Sequence, residues 1–279
     1  MVQSKTVVER TLSPSQKRAW LDCRGKWDYG YREGLVPVEP PQERLTVGKY
    51  LHAVLRQYHT EPSERRSHAM LMEDLERTWD SQLSETSRKK AVNILNTFWN
   101  TLGKDEEVPP LGTEQELSVM LPNAVRAHGF LDDLHVDHVN QLVTIGELKT
   151  GEDPDEDFYV FFNPQVYDYA WMASKQWVGY NIQVRHTLLS TAKAVRRVVP
   201  VEPRVLLETE QEWLICADEI YGHPLPIVYN RTMRCARGCP YYLLCLLRGT
   251  GGDVEDAKRV RYAKKGAVRL DVEQEVENV

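Results

Sequence analysis

The stretch Ile145-Gly146-Glu147-Leu148-Lys149-Thr150-Gly151 puts an acid and a lysine two residues apart in what otherwise reads as a buried strand. Side chains alternate across a strand, so Glu147 and Lys149 point one way and Leu148 the other. Taken alone, such a pair fits an exposed edge carrying a cross-strand ion pair. It also fits a functional site, and the surrounding sequence favours that second reading.

Upstream, Leu117, Val119 and Leu121 alternate with polar neighbours in GTEQELSVML, RAHGFLDDLHVDHV follows, and LVTIGELKT completes a predicted meander of three strands with HVNQ as its tight connection. Downstream, Asn163 and Pro164 suit the N-cap and first residue of a helix over PQVYDYAWMASKQW, which places Gln165 and Tyr169 one turn apart on one face. NIQVRHTLLS and AVRRVVPVEP then predict a second strand pair, and Thr209-Glu210-Gln211-Glu212 predicts a capping box ahead of the helix EWLICADEIYG.

The N-terminal part is helical in pattern. In TLSPSQKRAWLDC, Ser13 is a candidate N-cap and Pro14 suits the first helical position, with Cys23 delivered at the end. Val47, Leu51, Val54, Leu55 and Tyr58 follow helical spacing, with His52 at one edge of the apolar stripe. Leu71, Leu75 and Trp79, then Ala91, Leu95, Phe98 and Leu102, mark two further amphipathic helices, and Gly103 to Pro110 ends the block.

With 279 residues, 42% of them hydrophobic, the chain can bury one substantial core or two modest ones. No apolar run approaches the ~20 residues that span a bilayer, and MVQSKTVVER lacks the apolar segment of a secretory signal, so the expectation is a cytoplasmic protein without a membrane partner. In a reducing compartment, five cysteines read first as metal ligands rather than disulfides. The net charge of −6 does not announce nucleic acid, but the acids are concentrated in EDPDED and in the tail DVEQEVENV.

Asp132 sits on the strand before IGELKTG. Antiparallel neighbours bring facing residues to about 5 Å, so a carboxylate from each strand can hold one divalent metal. Such a metal keeps waters and lowers the pKa of one, and Lys149 beside it is free to orient that water or stabilise a phosphorane-like transition state. These are the parts of phosphodiester hydrolysis.

At this point the sequence resembles the RecB-like exonucleases of the PD-(D/E)XK nuclease superfamily, including the CRISPR-associated RecB-like nucleases and the AddB nuclease domain. The resemblance runs from LSPSQKRAWLDC to CPYYLLC. Its motifs, in family order, are His52 in VGKYLHAVL, Asp132 in GFLD, Glu147 and Lys149 in ELK, and Gln165 with Tyr169 in QVYDY. Each is weak alone, while their joint order on the right elements is specific. The resemblance implies that His52, Asp132, Glu147 and the backbone carbonyl of Leu148 hold Mg2+ or Mn2+, the imidazole favouring manganese. It implies catalytic roles for Asp132, Glu147, Lys149, His52, Gln165 and Tyr169, the last two contacting DNA or bracing the active-site strands. Glu116 matches an acid common on the family's first strand. Asp133 points to the other face and reads as surface.

Cys235, Cys239 and Cys245, with Cys23 far upstream, match the one-plus-three arrangement of the iron–sulfur branch, although the three-residue gap between Cys235 and Cys239 departs from the two more common there. Four thiolates can hold a [4Fe–4S] cluster, and a structural zinc site is the rival. Cys216, on an apolar helix face, is a buried small hydrophobe. Arg196, Arg197, Arg204 and KRVRYAKKGAVR could follow a phosphate backbone, with Tyr241 and Tyr242 available to stack on bases.

The expectation is therefore an α/β PD-(D/E)XK core: a mixed central sheet flanked by helices, with a helical insertion and an iron–sulfur region. It forms a single nuclease domain with an N-terminal arm (1–35), a helical region (47–108), the nuclease core (109–205), a cluster region (206–250) and a charged tail (251–279). The expected activity is metal-dependent exonucleolytic cleavage of DNA at single-stranded ends, in recombination, repair or CRISPR-type processing. The sequence has no Walker A loop, so unwinding belongs to a helicase or recombination partner. Two alternatives stand beside this: a catalytically silent DNA-binding or scaffold subunit, and a zinc-stabilised interaction domain.

Overall fold

The computed structural model describes residues 10–38, 43–79, 83–103, 115–151, 163–223, 225–230, 232 and 235–265. The end of the helical block at 104–110, the acidic run 152–157 and the tail beyond 265 lie outside them. In chain order the elements are β1 (Arg10–Leu12), α1 (Pro14–Asp22), α2 (Arg24–Trp27), β2 (Leu35–Pro37), α3 (Glu43–Thr60), α4 (His68–Thr78), α5 (Glu85–Phe98), β3 (Gln115–Leu121), β4 (Val125–Leu131), β5 (Asp133–Asp137) and β6 (Leu142–Thr150). They continue with α6 (Pro164–Gln176), β7 (Asn181–Leu189), β8 (Ala194–Pro200), α7 (Pro203–Ala217), α8 (Cys235–Gly238), α9 (Tyr242–Thr250), α10 (Val254–Arg261) and β9 (Tyr262–Lys264). The chain divides into two compact units, one of residues 1–11 and 41–214 and one of residues 12–40 and 215–279.

The first unit is an α/β body around a mixed sheet of order β5-β6-β7-β8. Strands β6 and β7 run parallel from Leu142↔Asn181 to Thr150↔Leu189, and the other two pairings are antiparallel. A parallel pair needs a crossover, and α6 lies within that connection. Asn163 caps α6, its Oδ1 accepting from Gln165 N–H at 3.3 Å, with Pro164 in the first turn. The expected stripe of α3 is fully buried, Val47, Leu51, Val54, Leu55 and Tyr58 packing with Leu71, Leu75, Ala91, Leu95 and Phe98 of α4 and α5. Leu189 and Ala194 of the sheet close the same core, and Leu148 is partly buried against it. Trp213 of α7 stacks on Trp171 of α6 at 5.4 Å and donates to Asp168 at 2.8 Å.

Two expectations are corrected. The predicted three-strand meander breaks at Asp132: β4 pairs with β3 in a separate sheet of order β1-β4-β3, whereas β5 pairs with β6. The capping box at Thr209 does not form, because α7 already begins at Pro203 and Thr209 is a buried mid-helix residue. Its hydroxyl donates to the carbonyl of Val205 at 2.8 Å, the usual outlet for a threonine inside a helix.

In the second unit Ser13 caps α1, accepting from Gln16 N–H at 3.2 Å, and Cys23 ends that helix. The strand pair β2 and β9 is antiparallel and lies with a small core of Tyr29, Leu35, Tyr241, Leu244, Ala257 and Tyr262. Among the described residues no helix is long and apolar enough to cross a membrane.

Candidate active site and cysteine-lined cavity

The break at Asp132 positions the site. Asp133, the first residue of β5, opposes Gly146 on β6, so the preceding Asp132 is left beside the continuation of β6 at Glu147 and Leu148. Leu148 N–H donates to Asp132 Oδ2 at 3.0 Å. In a strand the N–H and C=O of one residue leave on the same side, so the Leu148 carbonyl projects from the edge that Asp132 borders. On α3, His52 Nδ1 lies 3.3 Å from Asp132 Oδ1. Glu147 is buried, its Oε1 ion-paired with Lys149 Nζ two residues on and 3.4 Å from Asn163 Nδ2. The opening sequence stretch thus holds its own pair, and Asp132 and His52 border it.

The two carboxylates are held in different charge states of readiness. Burial works against the Asp132 carboxylate, but the hydrogen bond and charge of His52, the Leu148 N–H and Lys149 outweigh it and keep its pKa below the ordinary value. Burial pushes Glu147 up, the Asp132 charge adds to this, and Lys149 and His52 oppose it. Two carboxylates and an imidazole are the donors that a magnesium- or manganese-class ion takes. Among the described residues, no three His, Cys, Asp or Glu side chains already stand as a group that could hold a metal ion.

Gln165 Nε2 donates to Tyr169 Oη at 2.8 Å across one turn of α6, and burial raises the Tyr169 pKa to about 12. Sequence reading missed several neighbours of these residues. His186 is directly opposite Glu147 in the β6–β7 register, only 2% exposed, and its Nδ1 has no hydrogen-bond partner. Burial, with the Lys149 charge added, lowers its pKa to about 4, so it is a neutral imidazole. Asn163, recognised only as a cap, also reaches Glu147. Asp133 is not a surface residue: its side chain is ion-paired with Arg185 of β7 across Gly146. A Cβ on Gly146 would lie 2.6 Å from both Cβ and Oδ2 of Asp133, so the missing side chain leaves room for that pair. The period-two pattern carried a signal for Arg185 and His186, which alternate on a strand adjacent to β6, but register is not visible in one sequence.

A cleft of about 50 Å³ beside Asp132 and Glu147 is also lined by His52, Arg56, Arg185 and Arg196. Glu116 is instead engaged on β3, with Arg126 at 2.6 Å and His128 at 3.5 Å. Arg204 pairs with Glu208 at 2.8 Å, and Arg196 Nε donates to Thr187 Oγ1 at 3.3 Å.

The sequence model of the PD-(D/E)XK nuclease superfamily matches residues 11–246. The chain belongs to that superfamily. Its members generally use divalent metals and act on DNA, which makes this chain a nuclease. The fold is similar to the crystal structure of a "Putative exonuclease" from Eubacterium rectale, with a TM-score of 0.53 at 11% identity over 82% of this chain and 88% of that one. The solved structure of SSO0001 aligns over 87% of this chain and 89% of that one, at 10% identity and a TM-score of 0.38. No curated protein matches the sequence.

In the second unit of this superfamily member, Cys23, Cys235, Cys239 and Cys245 line a single cavity of about 630 Å³. Burial pushes the Cys239 thiol up, with Cys235 and Cys23 adding to the shift, while the Tyr241 N–H and Lys26 oppose it. Cys235 Sγ lies 3.4 Å from the Asn230 carbonyl. Cys216 is fully buried. Tyr241 is corrected as a candidate for base stacking: it is buried, stacked on Tyr262 at 5.8 Å, and its hydroxyl donates to the Leu35 carbonyl at 2.8 Å. Tyr242 is exposed on the rim of the cavity.

Proposed function

We propose that the chain is a metal-dependent DNA exonuclease acting at single-stranded ends, with Asp132, Glu147, the Leu148 carbonyl and His52 as the ligands of Mg2+ or Mn2+. The observation that carries this reading is the meeting of Asp132 with Leu148 N–H on β6, one residue from the buried Glu147–Lys149 pair. When bound, the metal lowers the pKa of its water and neutralises charge on the phosphate. Lys149, which pairs with Glu147 in this structure, would orient the attacking water or stabilise the transition state. Asn163 holds the Glu147 carboxylate in place, His186 packs opposite it in the register, and Gln165 with Tyr169 fixes the approach of the DNA from α6.

The four cysteines are the ligands of a [4Fe–4S] cluster in this reading, supported by their convergence on one cavity from positions far apart in sequence. A helicase or recombination partner supplies unwinding. The test is digestion of end-labelled single- and double-stranded DNA, with and without divalent metal, by protein purified anaerobically. Metal-dependent loss of label as short products from single-stranded substrate is expected. Internal nicking of closed circular single strands at the same rate would overturn the exonuclease reading, and no cleavage under any metal would overturn the assignment of the site.

A further inference from the structure

The strand that delivers Asp132 carries a feature that hydrolysis does not use. On β4, the odd positions Val125, Ala127, Gly129 and Leu131 are buried, and the even positions Arg126, His128 and Phe130 face away from that core. Phe130 is 58% exposed, although β4 is the central strand of its sheet. Opposite on β3, Glu116, Ser118 and Met120 face the same way, and Met120 is 63% exposed. The His128 ring meets Phe130 edge-on, with centroids 6.4 Å apart at 86°. A sheet centre that leaves a phenylalanine and a methionine in water is unusual for a chain with mean hydropathy of −0.49.

The chain itself ties this face to the reaction: Asp132 is the bend that directly follows β4, two residues after Phe130. The charges also suit a polyanion better than the chain as a whole does: the net charge is −6, yet this face sets its one acid, Glu116, against Arg126 and His128. An aromatic ring stacks on any base, whereas duplex DNA hides its base faces.

We infer that the outer face of β3 and β4 is a stacking platform for the unpaired bases of the DNA strand whose backbone lies at Asp132, with Phe130 as its principal contact. The inference rests on the proposed nuclease function and names the surface by which that site selects single strands. Phe130 takes the base nearest the metal site, His128 supports the ring from its edge, and Met120, opposite Arg126 at the far end of the face, offers a second apolar contact.

The test is binding of a fluorescein-labelled oligothymidylate, and of an equally long oligomer carrying abasic sites, to the full-length protein in EDTA, read by anisotropy. Phe130→Ala should weaken binding of the base-bearing oligomer roughly 5- to 150-fold, while Phe130→Trp retains it. Both proteins should bind the abasic oligomer alike and unfold at the same temperature, since the ring is exposed. Wild-type affinity in Phe130→Ala, or an equal loss on both oligomers, would overturn the platform while leaving cleavage intact. A wild-type protein that neither binds nor cleaves the base-bearing strand would overturn the nuclease reading, and the platform with it.

Discussion

Lys149→Met should destabilise the metal-free protein because of what it leaves behind. Glu147 is buried, with Lys149 Nζ and a long contact to Asn163 Nδ2 at 3.4 Å as its two donors and the Asp132 charge nearby. Removing one partner of a buried pair costs about 3–5 kcal/mol. The Lys149 side chain is 31% exposed, so the lower end, about 3 kcal/mol at pH 8, is the expected loss. For a unit of this size that corresponds to roughly 6–12 °C in Tm. The deficit should shrink as pH falls, because burial already raises the Glu147 pKa and loss of Lys149 raises it further; once the carboxyl is protonated in the folded state, no unpaired charge remains. Thermal unfolding by circular dichroism in EDTA at pH 8 and pH 5.5 reads both effects, and Glu147→Gln/Lys149→Met should recover at least half of the loss. A double variant as unstable as the single one, or a single variant as stable as wild type, would refute the idea that Lys149 neutralises Glu147.

His52→Ala should harm the manganese reaction more than the magnesium one, since imidazole contributes most to the softer ion; equal loss in both metals would reduce His52 to a positioning group for Asp132. His186 is held neutral with a pKa of about 4 against an ordinary 6.5, so the unfolded chain takes up a proton that the folded one refuses. Stability is unaffected above pH 6.5 and falls by about 3 kcal/mol as pH drops from 6.5 to 4, and denaturant unfolding of His186→Gln in EDTA should lack that component. Alanine at Cys23, Cys235, Cys239 or Cys245 should remove iron, sulfide and brown colour and make the second unit sensitive to limited proteolysis, whereas Cys216→Ala keeps the cluster; zinc in place of iron in the wild-type protein would refute the cluster.

Local chemistry explains which parts of the fold were legible in the sequence. The cap at Asn163 with Pro164, and the stripe from Val47 to Tyr58, depend on residues within a few positions of each other, and both form as expected. Thr209 misled because a good cap sequence competes with an earlier start: Pro203 already opens the helix, and the helix core is anchored by Trp213. The division of the middle strand at Asp132 left one trace in the sequence that went unread: in RAHGFLDDLHVD the apolar positions, Phe130 aside, are odd up to Leu131 and even from Leu134, a one-residue slip of phase at Asp132-Asp133, whereas the change of partner strand is not visible in one sequence. The same limit hid the Asp133–Arg185 pair, which exists because a glycine stands between them in the register. Asp132, Glu147, Lys149 and His52 could be singled out because their types and order were informative, whereas their neighbours Asn163 and His186 required the fold.

The second unit is discontinuous, built from residues 12–40 and 215–279. During synthesis its first segment therefore leaves the ribosome more than two hundred residues before Cys235, which at typical elongation rates is a delay of roughly 10–40 s. For that interval Cys23 has neither its cavity nor the other three cysteines, and it meets the thiol chemistry of its surroundings as a single exposed sulfur. The first unit has all of its strands and its crossover helix by residue 200, so the machinery around Asp132 can fold while the cysteine-lined unit is still incomplete. Completion of the second unit then waits on the synthesis of its second segment, after the strands of the first unit have already been made.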